Sequence, residues 1–265
     1  MSEPNPAIPA ATQLNILSPP EYAKVSETSP LTDRPDVTPH LAAPETPLDT
    51  TQWDLMVAGK HYNCWGDRLF VERRLRIRRL LQAYNDYPWS AVPPTDFFGP
   101  DERRSILADI FHLSLGDFKA KRIDIEPPLL VNFGQNVTFK GEFYANSGLL
   151  MLDNCPITFG HRILCGPRVA FHTPSHSLKV DERRQAGWDF GYPIEIGDDC
   201  WIGGGAVFNG PCKVGNGCTI AGGAVVRGTF PDNCLIGGVP ARIIKYLDPP
   251  KSTSGLDSTE AEVLL

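Results

Sequence analysis

The side chains of this chain best suited to chemistry are His172 and His176, four residues apart at the start of HTPSHSLKVDERRQAGWDFGYP, residues 172–193. A neutral imidazole within hydrogen-bond reach of a hydroxyl takes its proton as a general base, a contribution of about 10²–10⁴ in rate. With His161, the same two histidines also reach the ligand count of a three-imidazole zinc site. The remaining histidines are His40, in a proline-rich start, and His61 and His112, in a helical region. No Ser or Cys is paired with a base in a nucleophile elbow, so no acyl-enzyme is expected. The seven cysteines are odd in number and contain no CxxC pair. Cys200, Cys212 and Cys218 read as small packing residues rather than disulfides or metal ligands, and a reducing, intracellular compartment fits them.

The elements that must position these histidines repeat every six residues. Ile196, Ile202, Phe208, Val214, Ile220 and Val226 form a bulky column, followed four places behind by Cys200, Ala206, Cys212, Cys218 and Ala224. A six-residue period is neither helical nor a simple alternation, and a fixed repeat of this kind decides the fold. It describes short flat strands, one per hexapeptide, with the bulky column filling the interior and the small column at the corners. Glycines such as Gly205 and Gly223 fall where a side chain would clash or φ must be positive. Earlier and more loosely, Phe133, Phe139, Ala145 and Met151 share the spacing, then Phe159, Cys165 and Phe171. Between Phe171 and Ile196 the period is lost, which predicts a loop thrown out of a rigid scaffold, where function concentrates.

Residues 1–50 are rich in proline and have no apolar periodicity, so they read as a disordered leader. That leader lacks the basic start and apolar run of a secretory signal. A helical region is expected over residues 51–115, the repeat with its ejected loop at 172–193 over 116–247, and a flexible tail over 248–265. One helix spans Asp67–Asp86, burying Phe70, Ile77, Leu81 and Tyr84. Its arginines, Arg68, Arg73, Arg74, Arg76, Arg78 and Arg79, form either a solvated or internally paired face or an anion-contacting edge. A second helix is expected over Asp101–Leu115, capped by Asp101, burying Ile106, Ile110 and Phe111, and stopped by Gly116. Two such helices are too little core to stand alone and should cap the solenoid. A net charge of −6 gives nucleic-acid binding no support. No stretch approaches the roughly 18 apolar residues of a membrane span.

Several stretches together resemble the maltose and galactoside O-acetyltransferases, including the nodulation-factor acetyltransferases. They are MVAGKHYN, EFYANSGLLMLDN, HTPSHSL, PIEIGDDCWIGGGAVF and GGVPARIIKYL, spread over residues 51–247. The resemblance implies a mainly β chain, a left-handed parallel β-helix of hexapeptide repeats with a small N-terminal helical domain. It also implies a cytoplasmic homotrimer, sites between neighbouring prisms, and acetyl-CoA as donor with no metal.

Residue by residue, the resemblance places His176 as general base and Asn146 in the active site, with His172 as a structural neighbour and fallback base. Asn146 is otherwise a turn-stabilising amide. Asn132, Asp153, Asn154 and Cys64 match acceptor-binding positions. Relatives often carry an acid where Asn154 stands, and some carry one at Cys64, which weakens bidentate bonding to vicinal hydroxyls. Trp201 matches either the donor groove or an outward packing contact of the trimer, and Gly204 and Gly222 line the donor path. Arg227-Gly228 replaces the family's Thr-Lys pair, leaving Arg227 to meet a phosphate. Arg242 and Lys245 are either nucleotide-end contacts or ordinary surface charges. The expected activity is acetyl transfer to a hydroxyl of a sugar or sugar-like acceptor, by direct attack. The alternatives are a specialised-metabolite acceptor, a zinc hydratase on the same fold using His161, His172 and His176, and a catalytically silent scaffold.

Overall fold

The computed structural model describes residues 48–91, 99–185 and 189–248. Most of the expected leader with His40, and the tail from residue 249, lie outside the described residues. The cap begins with α1 (Thr51–Val57) and α2 (Arg68–Asn85). Asp67 starts α2 by accepting from the backbone N–H groups of Leu69 and Phe70 at 2.8 and 3.2 Å. The expected face is the buried one: Phe70, Ile77, Leu81 and Tyr84 all face in. Leu48, inside the segment read as leader, already packs against this cap.

The second expected helix is two helices, α3 (Asp101–Ile110) and α4 (Leu115–Lys121). His112 adopts a left-handed φ of 55° at the break, and Ser114 restarts the chain by accepting from the N–H of Asp117 at 3.0 Å. Gly116 therefore lies inside α4 rather than ending a helix, and the helical region runs past residue 115. Asp101 does not cap α3 with its side chain; it accepts from Lys119 of α4 at 2.8 Å. Ile106 is only partly buried, and Leu107 takes the inward place. Of the α2 arginines, Arg68 pairs with Glu72, Arg73 lies 3.9 Å from the Trp53 ring centroid, and Arg76 donates to the Asp109 carbonyl. These three are internally engaged.

The rest is a parallel β-solenoid of about six turns. Its first face stacks β1 (Ile123–Ile125), β4 (Phe143–Ala145), β7 (Ile163–Cys165), β12 (Trp201–Ile202), β14 (Thr219–Ile220) and β16 (Cys234–Gly238). The second stacks β2 (Leu130–Val131), β5 (Leu150–Leu152), β8 (Ala170–His172) and the starts of β13 (Val207–Val214) and β15 (Val225–Phe230). The third stacks β3 (Val137–Phe139), β6 (Ile157–Phe159), β11 (Ile194–Ile196) and the ends of β13 and β15. An antiparallel strand, β17 (Ala241–Tyr246), closes the far end against β16.

Both sequence columns face inward: the bulky residues are buried, and so are Cys200, Ala206, Cys212, Cys218 and Ala224. Stacked rings fill the early coils, Phe139 on Phe159 at 5.5 Å and Phe171 on Phe208 at 4.7 Å. Phe133 departs from the expected interior column. It is buried outside the prism, edge-on to Trp53 at 4.8 Å, where the cap docks. At the edge between third and first faces, Asp198, Asn216 and Asp232 each accept a backbone N–H from the preceding coil, at 2.7–2.8 Å. Corner polar groups are thereby satisfied without water. Truncating the central ring by Phe208→Ala should lower unfolding free energy by about 3–5 kcal/mol. A reduced denaturant midpoint at unchanged slope is the expected reading.

Candidate active site

The ejected segment leaves the solenoid at the edge between second and third faces. Its limbs pair as β9 (Pro174–Ser175) and β10 (Phe190–Gly191), antiparallel, with a short α5 (Val180–Arg183) between them. Thr173 anchors the base: its hydroxyl accepts from the N–H of Cys155 at 2.8 Å and donates to the Leu152 carbonyl at 2.7 Å. Beyond this anchor, His176 Nδ1 lies 3.0 Å from Asp189 Oδ1, and the ring is 66% exposed. An Nδ1–H donated to that carboxylate leaves the Nε2 lone pair outward, the tautomer a general base needs. Cys64 Sγ stands 4.0 Å from the other Asp189 oxygen. Burial pushes the Cys64 thiol up, with Asp189 adding to the effect, so the group is a neutral thiol.

The same edge carries Asn132 after β2, Asp153 and Asn154 after β5, and Arg227 in β15. Asn132 Nδ2 donates to Asn154 Oδ1 at 2.9 Å, and Asn154 Nδ2 donates to the Tyr62 hydroxyl at 2.9 Å. His172 and Arg227 meet in a cleft of about 270 Å³ with Ser175, Asn209 and Ala241. Asp153 points the other way. It is fully buried, accepts from the N–H groups of Phe133 and Asn136 at 2.8 and 3.3 Å, and so fixes the turn between β2 and β3.

The remaining expected residues lie elsewhere. Asn146, Gly204 and Gly222 sit on the edge between first and second faces, after β4, β12 and β14. Asn146 Oδ1 accepts from the N–H of Ser147 at 2.7 Å. A side chain on Gly204 would crowd Pro167 at 3.1 Å, and one on Gly222 would meet the Gly204 carbonyl at 3.2 Å. Coil stacking alone therefore accounts for both glycines. Trp201, half exposed on the first face, lines a groove of about 580 Å³ with Leu164, Tyr144, Arg122 and Asp124. Arg242 and Lys245 project from the closing strand β17. His161 lies on the third edge, after β6, apart from His172 and His176. Among the described residues no group of three His, Cys, Asp or Glu could hold a metal ion. The three-histidine zinc site has no geometric basis here.

Sequence reasoning missed two residues that contact this edge, Asp189 and Tyr62. Asp189 is brought to His176 by the β9–β10 pairing, which no fixed spacing announces. Tyr62 lies within the MVAGKHYN stretch, and only the fold shows that its hydroxyl reaches Asn154.

Two family models match: a maltose acetyltransferase hexapeptide capping motif over residues 55–113, and a bacterial transferase hexapeptide of six repeats over residues 193–228. A putative acetyltransferase of Dictyostelium discoideum is 39% identical over 207 residues, 77% of this chain and 100% of that protein. The chain belongs to the maltose and galactoside O-acetyltransferase family. A maltose O-acetyltransferase from Clostridium difficile 630 matches with a TM-score of 0.66 and 28% identity, over 75% of this chain and 98% of that one. A hexapeptide-repeat acetyltransferase from Vibrio cholerae, solved in complex with acetyl coenzyme A, gives 0.63 and 30%, over 75% and 99%. The protein is thus an acyltransferase.

Within this acyltransferase, Asp153 makes a testable contribution to stability. Burial pushes its carboxyl up to about 7, against the backbone N–H bonds that favour the anion. The folded value lies above the unfolded one, so the fold prefers the protonated form. Its stabilisation is complete below the ordinary 3.8 and is lost as pH rises through about 7. Asp153→Asn keeps an acceptor for Phe133 and removes the titration. Denaturant unfolding across that window should show the wild type losing stability relative to the variant as pH rises.

Proposed function

We propose that this chain is an acetyl-CoA-dependent O-acetyltransferase that acetylates a hydroxyl of a sugar or sugar-like acceptor, with His176 as general base. The observation that carries the reading is the 3.0 Å contact between His176 Nδ1 and Asp189 Oδ1, on a segment anchored beside the Asn132–Asn154–Tyr62 chain. His176 Nε2 takes the proton as the acceptor oxygen attacks, and Asp189 holds the ring and balances the imidazolium that forms. Acetyl-CoA supplies the acetyl group as a thioester and leaves as the thiol. The imidazolium returns its proton to that departing sulfur, so His176 ends the cycle neutral.

The donor's fit is supported by the cleft of about 270 Å³ beside the loop base, with Arg227 in its lining. Arg227 would meet a phosphate there as a planar cation. Trp201, with Arg242 and Lys245, would contact the donor from other surfaces.

The division of site residues between two edges of one prism supports a homotrimer. Asn146 cannot join the His176 of its own chain without crossing a face, but a neighbouring prism can bring the two edges together. The seven cysteines are all free thiols, which supports a reducing, cytoplasmic setting. No described helix is long and apolar enough to cross a membrane.

A second reading concerns the acceptor alone. Family resemblance favours a mono- or disaccharide such as glucose or maltose, and Cys64 and Asn154, standing where some relatives carry acids, support a specialised-metabolite hydroxyl as the alternative.

Thiol release from acetyl-CoA over a panel of hydroxyl acceptors tests the proposal. His176→Ala should lower kcat by about 10²–10⁴, and Asp189→Asn by less, with acetyl-CoA binding retained in both. A wild-type protein silent on every acceptor and unable to bind CoA would favour the scaffold reading.

A further inference from the structure

Tyr62 belongs to the helical cap, yet it touches both halves of the acceptor edge. Its backbone N–H donates to the Asp189 carbonyl at 3.0 Å, in an isolated antiparallel bridge between cap and loop. Its hydroxyl accepts from Asn154 Nδ2 at 2.9 Å. Between these two ends the ring is buried and stacked on Phe70, with centroids 5.8 Å apart and planes within 2°. The cap is pinned beside it at two further points. Cys155 Sγ donates to the Met56 carbonyl at 3.1 Å, and a side chain on Gly59 would stand 3.0 Å from the Gly191 carbonyl. One rigid residue thus connects the carboxylate that orients His176 with the amide chain of the acceptor floor.

We propose that Tyr62 is a positioning residue: its main chain places Asp189, its hydroxyl fixes the Asn154 amide, and the helical cap thereby sets the spacing between base and acceptor. This inference rests on the general-base reading of His176. Asn154 is clamped at both ends, its oxygen by Asn132 and its nitrogen by Tyr62. Burial pushes the Tyr62 phenol up to about 12, so the hydroxyl stays neutral throughout the working pH range. Loss of that hydroxyl leaves a nearly buried amide nitrogen without its partner and free to turn. A turned amide presents the wrong group to the acceptor while leaving the donor cleft alone.

Tyr62→Phe keeps the ring and the main-chain bridge and removes only the hydroxyl. With the best acceptor among glucose, maltose and methyl glucoside, its acceptor KM should rise about three- to ten-fold, the scale of one net hydrogen bond. The acetyl-CoA KM should not change, and adding Tyr62→Phe to Asn154→Ala should cost little more. Tyr62→Ala should raise amide hydrogen exchange across residues 172–193, whereas Tyr62→Phe should not. An unchanged acceptor KM in Tyr62→Phe, or costs of Tyr62→Phe and Asn154→Ala that multiply, would overturn the inference. Unchanged loop exchange in Tyr62→Ala would do so as well. His176→Ala run in parallel keeps the two ideas apart. An inactive His176→Ala beside a Tyr62→Phe of wild-type behaviour sinks only the Tyr62 inference. A chain silent on all three takes its acceptor from the wider hydroxyl panel, and loop exchange in Tyr62→Ala decides on Tyr62 without it.

Discussion

A triangular solenoid allows side chains to project at its edges, and those edges are held apart by the width of a packed interior. The division of residues between edges follows from that constraint. The interior is filled by stacked Phe139, Phe159, Phe171 and Phe208, so no edge residue can reach through it to another edge. His176, Asp189, Asn132, Asn154 and Arg227 share one edge, and Asn146 occupies the next. The proposed transfer uses both, and so calls for a second copy of the chain.

Along the loop edge, local geometry does the rest. The pairing of β9 with β10 carries Asp189 back to His176, and Thr173 ties the base of the excursion to the coil beneath it. Asp153 holds the turn between β2 and β3 through the backbone N–H groups of Phe133 and Asn136. The cap contributes Tyr62 and Cys64 from outside. The Asn132–Asn154–Tyr62 chain is therefore a joint product of cap and solenoid, while the cleft beside Arg227 is lined by the solenoid, the loop base at Pro174 and Ser175, and the closing strand.

Much of this was legible in the sequence, for identifiable reasons. The six-residue column from Ile196 to Val226 is set by coil geometry alone, so it named the solenoid, and the loss of period after Phe171 marked the loop. Phe133 kept the spacing but left the interior, because periodicity cannot distinguish the prism's core from the cap's docking surface. The break between α3 and α4 was hidden because His112, not a glycine, takes the left-handed turn. Asp189 and Tyr62 were invisible as site residues because their roles come from pairing between distant segments. The arginines of α2 kept two readings until Arg68, Arg73 and Arg76 found partners within the chain.

The claim on which the account stands is that His176 and Asn146 act together only across a boundary between chains. Subunit complementation measures this most directly. His176→Ala and Asn146→Ala homo-oligomers are each expected to be inactive, and co-refolding the two variants should restore a substantial part of the acetyl transfer. Mixed assemblies verified by native mass spectrometry that remain as inactive as either parent would contradict it.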